Sequence, residues 1–257
     1  MDNQVQTILQ GRSGPNLYRT TARVVGVVYL AGFVVGIGGN ILIQSILGAP
    51  NHLATVSASS MTVAIGALLW LMAVAGDTAH GVLMFPVLKQ HSERIAFGYL
   101  AARIVDAVFI AVMVLFLLLQ IPLGSEYLKA AASNTFYLQA LSTVSVQASQ
   151  YAYAIGMSAV GLAGLMLNYV FYRTKLVPRV VAVWGLVGYA ILLCGMVSEI
   201  PGSGLGLYSS IPGGLWEVFI GVWLIAKGFS SSPVRSEPIT SSTTPRRMSP
   251  DVVNATA

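Results

Sequence analysis

Charge is what this sequence has least of. Of its 257 residues, 9% are Asp, Glu, Lys or Arg, where a water-soluble domain carries about a quarter. With 55% of the residues hydrophobic, the chain cannot cover itself with a water-compatible surface, which excludes an ordinary soluble fold. Cysteine is nearly absent as well. Cys194 stands alone inside an apolar run, so an intrachain disulfide and a zinc site of paired cysteines are both excluded. There is no phosphate-cradling P-loop, no His-Glu-x-x-His, and no serine or cysteine nucleophile with a base at readable spacing. These absences weigh against nucleotide-driven transport by this chain itself and against ordinary hydrolysis, and they leave open an acid–base enzyme built from intramembrane carboxylates.

What the sequence has instead is length of apolar run. Six runs stand out: Ala22 to Leu47, Ser60 to Leu88, Ile95 to Ile121, Ser149 to Tyr172, Val180 to Ile200 and Gly213 to Lys227. A span of the hydrocarbon core takes ~20 residues, and lipid satisfies no backbone hydrogen bond, so each run is expected to be a membrane-crossing helix. The fold class expected is therefore all-α, a bundle of six transmembrane helices occupying residues 19–229. Residues 1–18 form a polar leading segment without the features of a secretory signal, so the first span is expected to direct insertion. Residues 230–257, polar and proline-rich, are expected to be a disordered cytoplasmic tail.

The net charge of +5 is a topology signal rather than a nucleic-acid one, because the basic residues flank apolar runs instead of forming a patch. Setting Arg103 aside, twelve Lys and Arg fall in the leading segment, the links after spans 2 and 4 and the tail, against Lys129 alone in the remaining links. Both termini are thereby expected in the cytoplasm. The longest link, Leu123 to Gln150, has a patchy helical period and is expected to hold an extracytoplasmic interfacial helix leading into span 4. The link PGSGLGLYSSIPGG after span 5 reads as an irregular turn.

Four ionisable residues interrupt the second and third spans. Asp77 and His80 are three apart, as are Arg103 and Asp106, so each pair projects from one face of its helix. The two pairs should be level across the hairpin, with Arg103 bonded to Asp77 or Asp106. They serve either as interhelical glue or as an ion, proton or substrate site. Asp77, His80 and Asp106 make at most three ligands in no recognised spacing, so no metal and no cofactor is implied.

Three spans begin alike, ARVVGVVYLAGF from Ala22, ARIVDAVFIAVM from Ala102 and PRVVAVWGLVGY from Pro178. If the three starts are equivalent, Arg23, Arg103 and Arg179 all mark the inner edge of the hydrocarbon and the cluster lies near the inner leaflet. A secondary candidate is Glu217, one turn inside span 6, expected to meet Tyr151, Tyr153 or Gln150. Gly32 and Gly36 in span 1, and Gly156, Gly161 and Gly164 in span 4, read as close-packing positions, within the bundle or in a homo-oligomer.

The stretches YAYAIGMSAVGLAGLMLNYVFYRTKLVPRVVAVWGLVGYAILL from Tyr151, DTAHGVLMFPVLKQHSERIAFGYLAARIVDAVF from Asp77 and the closing EVFIGVWLIAKG resemble a bacterial integral-membrane family catalogued as domain of unknown function 4386, over roughly residues 20 to 229. The resemblance implies a six-helix protein of the bacterial cytoplasmic membrane and brings no activity or site residues with it. The expected partners are membrane lipids and other membrane helices, not nucleic acid. The readings left open are a small-molecule or ion transporter or accessory subunit, an integral-membrane enzyme on a lipid or isoprenoid substrate, and a structural or partner-binding protein.

Overall fold

The computed structural model describes residues 15–131 and 134–230, with side chains from Arg19 onward, so the expectations for the outermost residues at both ends lie outside the described region. Among the described residues there are eight helices: α1 (Pro15–Leu47), α2 (His52–Ala58), α3 (Ser60–Lys89), α4 (Glu93–Leu118), α5 (Gln120–Lys129), α6 (Thr135–Thr174), α7 (Arg179–Glu199) and α8 (Gly206–Ala226). Six of these, α1, α3, α4, α6, α7 and α8, supply apolar segments long enough to cross a bilayer, the one begun by α4 running on through α5. The protein is a multi-pass helical membrane protein.

The hairpin turns are set by local chemistry. Ser92 accepts the Ile95 N–H, with Glu93 in the first turn of α4 to complement the helix dipole. Lys175 closes α6 in the left-handed region at φ 58° while its N–H reaches the Phe171 carbonyl, and Pro178 then starts α7.

Consecutive spans pack side by side in the order α1, α3, α4, α6, α7, α8, and α8 packs back on α1, so the six close a ring. Small residues permit the closure. A Cβ on Gly26 would lie 2.5 Å from the Gly221 carbonyl oxygen, which is where α1 and α8 meet, and one on Gly39 would lie 2.8 Å from that of Gly66, where α1 meets α3. Gly32 has open space around it and Gly36 only Trp70 at 3.9 Å. The close approach expected of that pair therefore falls at Gly26 and Gly39, because it is the facing backbone and not the spacing alone that decides which glycine is needed. The main core lies inside the ring, with Tyr99, Phe171 and Trp216 among its fully buried members.

Three helix starts come earlier than the sequence expectation, that of α1 at Pro15 rather than Ala22 and those of α6 and α8. α6 begins at Thr135, so the link before span 4 is largely an extension of that span, with α5 lying ahead of it. α8 begins at Gly206, seven residues before the expected Gly213, and absorbs Pro212. The Glu199 carboxylate explains the early start: it accepts the Gly206 N–H at 2.9 Å, capping the positive end of α8. The Ser209 and Ser210 hydroxyls then donate back to the Gly206 carbonyl. Glu199 is thus a capping residue rather than a merely wetted one.

At the end of the ring remote from Lys89 and Arg179, α2, α5 and the first turns of α6 form a small layer. Ser142 Oγ donates to Gln120 Oε1 at 2.6 Å, and His52 Nε2 lies 2.8 Å from the same Ser142 oxygen. Because the serine proton is committed to Gln120, His52 is the donor, in its Nε2–H tautomer.

Candidate functional site

The polar residues of spans 2 and 3 meet as a group. The Arg103 guanidinium bonds Asp77 of α3 through Nη2, and its Nη1 lies 3.7 Å from Asp106 Oδ2 on its own helix. His80 Nδ1 lies 2.6 Å from the Tyr99 hydroxyl. Arg103, Asp106 and His80 are buried, the last two at 1% exposure, whereas the Asp77 side chain is about one-third exposed. Glycines make the room: a Cβ on Gly81 would meet the Arg103 side chain at 3.1 Å, and one on Gly156 of α6 would stand 3.4 Å from Asp106 Oδ1.

The group extends beyond the hairpin. The Tyr29 ring of α1 meets the His80 ring edge-on with centroids 4.2 Å apart, and on its other side it reaches toward α7 and α8. Tyr189 donates to Glu217 Oε1 of α8 at 2.6 Å. Trp216 packs against both Tyr29 and Tyr189, and its indole N–H is held by the Val181 carbonyl at 2.8 Å. Tyr153 of α6 stands three residues from Gly156, edge-on to Trp70. Each of the six ring helices therefore gives a residue to one polar and aromatic centre.

The secondary candidates separate. Glu217 stands eleven residues into α8, because the helix starts early, and it pairs with Tyr189 rather than Tyr151 or Gln150. Tyr153 faces the core, as expected of a centre residue, while Tyr151 is 44% exposed and lines a cup with Gln147, Gln150 and Glu199. Tyr29, Tyr99 and Tyr189 are additions to the sequence reading. Their signal was a phenol inside an apolar run, which must find a partner when buried.

Depth along the helices also changes. Arg103 stands ten residues into α4, whereas Arg179 is the first residue of α7 and Ala22, next to Arg23, lies by Gly228 at the other end of α8. The similar starts are thus not level. Tyr29, Arg103 and Tyr189 each come ten residues after the first charged residue of their helix, which is ~15 Å of helix and about half a hydrocarbon thickness.

Several polar atoms of this centre are left over. His80 Nε2, Arg103 Nε and both carboxylate oxygens of Asp106 are buried without a hydrogen-bond partner. Asp77 and Asp106 share one guanidinium, and a third carboxyl group, that of Glu217, is bonded to Tyr189. Among the described residues no cluster of three or more His, Cys, Asp or Glu side chains is arranged to hold a metal ion.

The family model for a domain of unknown function, DUF4386, matches residues 24–228. The chain belongs to this family. That match reaches all six ring helices and spans every residue of the centre. A comparison with curated proteins and with solved structures finds no match to the chain.

Proposed function

We propose that this protein is an ion-handling membrane protein, a transporter or the accessory subunit of one, whose ring of six helices exchanges protons at the polar centre. The observation that carries this reading is the buried Asp106 carboxyl group, whose two oxygens meet no hydrogen-bond donor although the guanidinium beside it also holds Asp77. A polar pin kept only for stability would be fully satisfied, since a half-satisfied buried network is worse than apolar packing of the same volume. A proton is also the ligand that suits this packing. His80 and Asp106 are closed off from the surface, so a solute would have to open the ring to reach them, while a proton needs only a chain of hydroxyls, an imidazole and carboxylates. Asp77, one-third exposed and bonded to Arg103, is the natural point of entry. In this reading both termini are cytoplasmic in a bacterial inner membrane, the basic ends of α1, α3, α6 and α8 facing inward.

A second reading, that the centre is interhelical glue in a structural membrane protein, draws on the same burial. Sealed vesicles carrying the purified protein and an internal pH-sensitive dye separate the two. An imposed pH gradient should collapse faster than in protein-free vesicles, and Asp106→Asn or Glu217→Gln should restore the slow decay. Decay equal to that of empty vesicles would favour the structural reading.

A further inference from the structure

Independently of the central site, the end of α7 remote from Arg179 carries two concavities separated by one hydrogen-bonded rim. On one side, between the last turns of α7 and the start of α8, an apolar groove of about 670 Å³ is walled by Ile191, Cys194, Leu205 and Tyr208. On the other, between α6 and the turn after α7, a polar cup of about 260 Å³ is lined by Gln147, Gln150, Tyr151 and Glu199. The rim between them is Ser198, whose hydroxyl lies 3.0 Å from that of Ser203, which in turn reaches Glu199 Oε2 at 3.5 Å.

The chemistry of the two sides is that of one amphiphile. Glu199 is the one charged side chain lining the cup among the described residues, and Gly206 N–H fixes its Oε2. A carboxylate held in this way is prepared for a cation that can donate hydrogen bonds. The amides of Gln147 and Gln150 and the Tyr151 hydroxyl are neutral donors suited to phosphate oxygens. An apolar groove facing hydrocarbon beside such a cup accepts an acyl chain. We infer that this end of α7 seats a phospholipid with a primary-amine headgroup, the ammonium on Glu199, the phosphate on Gln147, Gln150 and Tyr151, and one acyl chain along Ile191 and Leu205. A choline headgroup, lacking N–H donors, cannot make the first of these bonds. An anionic glycerol headgroup is repelled by Glu199.

The test uses the full-length protein equilibrated with vesicles containing equal amounts of phosphatidylethanolamine, phosphatidylcholine and phosphatidylglycerol, followed by native mass spectrometry of the retained lipid. The ethanolamine lipid should be retained about tenfold over choline, the scale of one charge-assisted hydrogen bond. Gln150→Leu, on an exposed position outside the α8 cap, should cut retention of the ethanolamine lipid severalfold while leaving its ratio to the choline lipid in place, because both carry the phosphate. Ile191→Trp should fill the groove and remove the adduct. Glu199→Gln should abolish the preference while lipid is still retained, which separates a lost ammonium contact from a cup collapsed by a weakened cap. Equal retention of ethanolamine and choline lipids, a preference for the glycerol lipid, or undiminished retention in Gln150→Leu would overturn the assignment.

Discussion

The Tyr99 hydroxyl lies 2.6 Å from His80 Nδ1, and the second imidazole nitrogen, Nε2, is buried without a partner. Whichever of the two groups donates, one nitrogen of His80 is satisfied and the other is not. Tyr99→Phe leaves both unsatisfied at little change of volume, so it should cost about 1–3 kcal/mol. Equilibrium unfolding in mixed detergent would measure this. Adding His80→Leu to Tyr99→Phe should cost less than the two single changes summed, because the pair then disappears together.

Arg103 joins α3 to α4 through Asp77 and approaches Asp106. Arg103→Gln alone leaves two carboxylates without their cation and should cost about 3–5 kcal/mol. Asp77→Asn should cost less, since Asp77 is partly exposed and water replaces part of the lost interaction. In the double variant the loss should fall below the sum of the singles, as folded yield and detergent unfolding would report. A strictly additive result would mean that the two side chains do not act as a pair.

Two glycines should respond oppositely to alanine. A Cβ on Gly164 would run into the Tyr189 ring, pushing its hydroxyl away from Glu217. Gly164→Ala should therefore destabilise by about 1–3 kcal/mol, the usual range for overpacking. Gly32 has open space around it, so Gly32→Ala should be neutral or stabilising by up to about 1 kcal/mol through helix propensity. The difference in melting temperature between the two variants is the readout.

The six spans were legible because hydrocarbon demands long apolar runs, and their order around the ring follows from short links between neighbours. That Arg103 bonds a carboxylate level with it across the hairpin was legible as well, but Asp77 and Asp106 were equal choices, and it is the packing of α3 on α4 that gives the guanidinium to Asp77 and leaves Asp106 at 3.7 Å. Where a helix starts was less so. Gly, Ser and Pro at 202–213 look like a turn, and only the Glu199 cap and the serine-to-backbone bonds, which are tertiary and rotameric choices, make 206–212 helical. The rest of the centre was hidden for a related reason. Tyr29 and Tyr189 lie in apolar runs with no charge to mark them; Tyr189 meets Glu217 where α7 packs on α8, and Tyr29 meets Trp216 only because α8 closes the ring onto α1.

Asp106→Asn decides most directly whether the centre is a proton-exchange site or glue. Arg103 keeps Asp77 in this variant, so the change removes a buried carboxyl group that meets no hydrogen-bond donor and leaves the interhelical bond in place. If the carboxylate is held at a cost for function, detergent unfolding of Asp106→Asn should show stability unchanged or raised by about 1–4 kcal/mol, as when unbalanced buried charge is neutralised, with proton flux lost in the same preparation. A fall in stability of several kcal/mol, with flux in the wild type no faster than in empty vesicles, would contradict a proton-exchange centre.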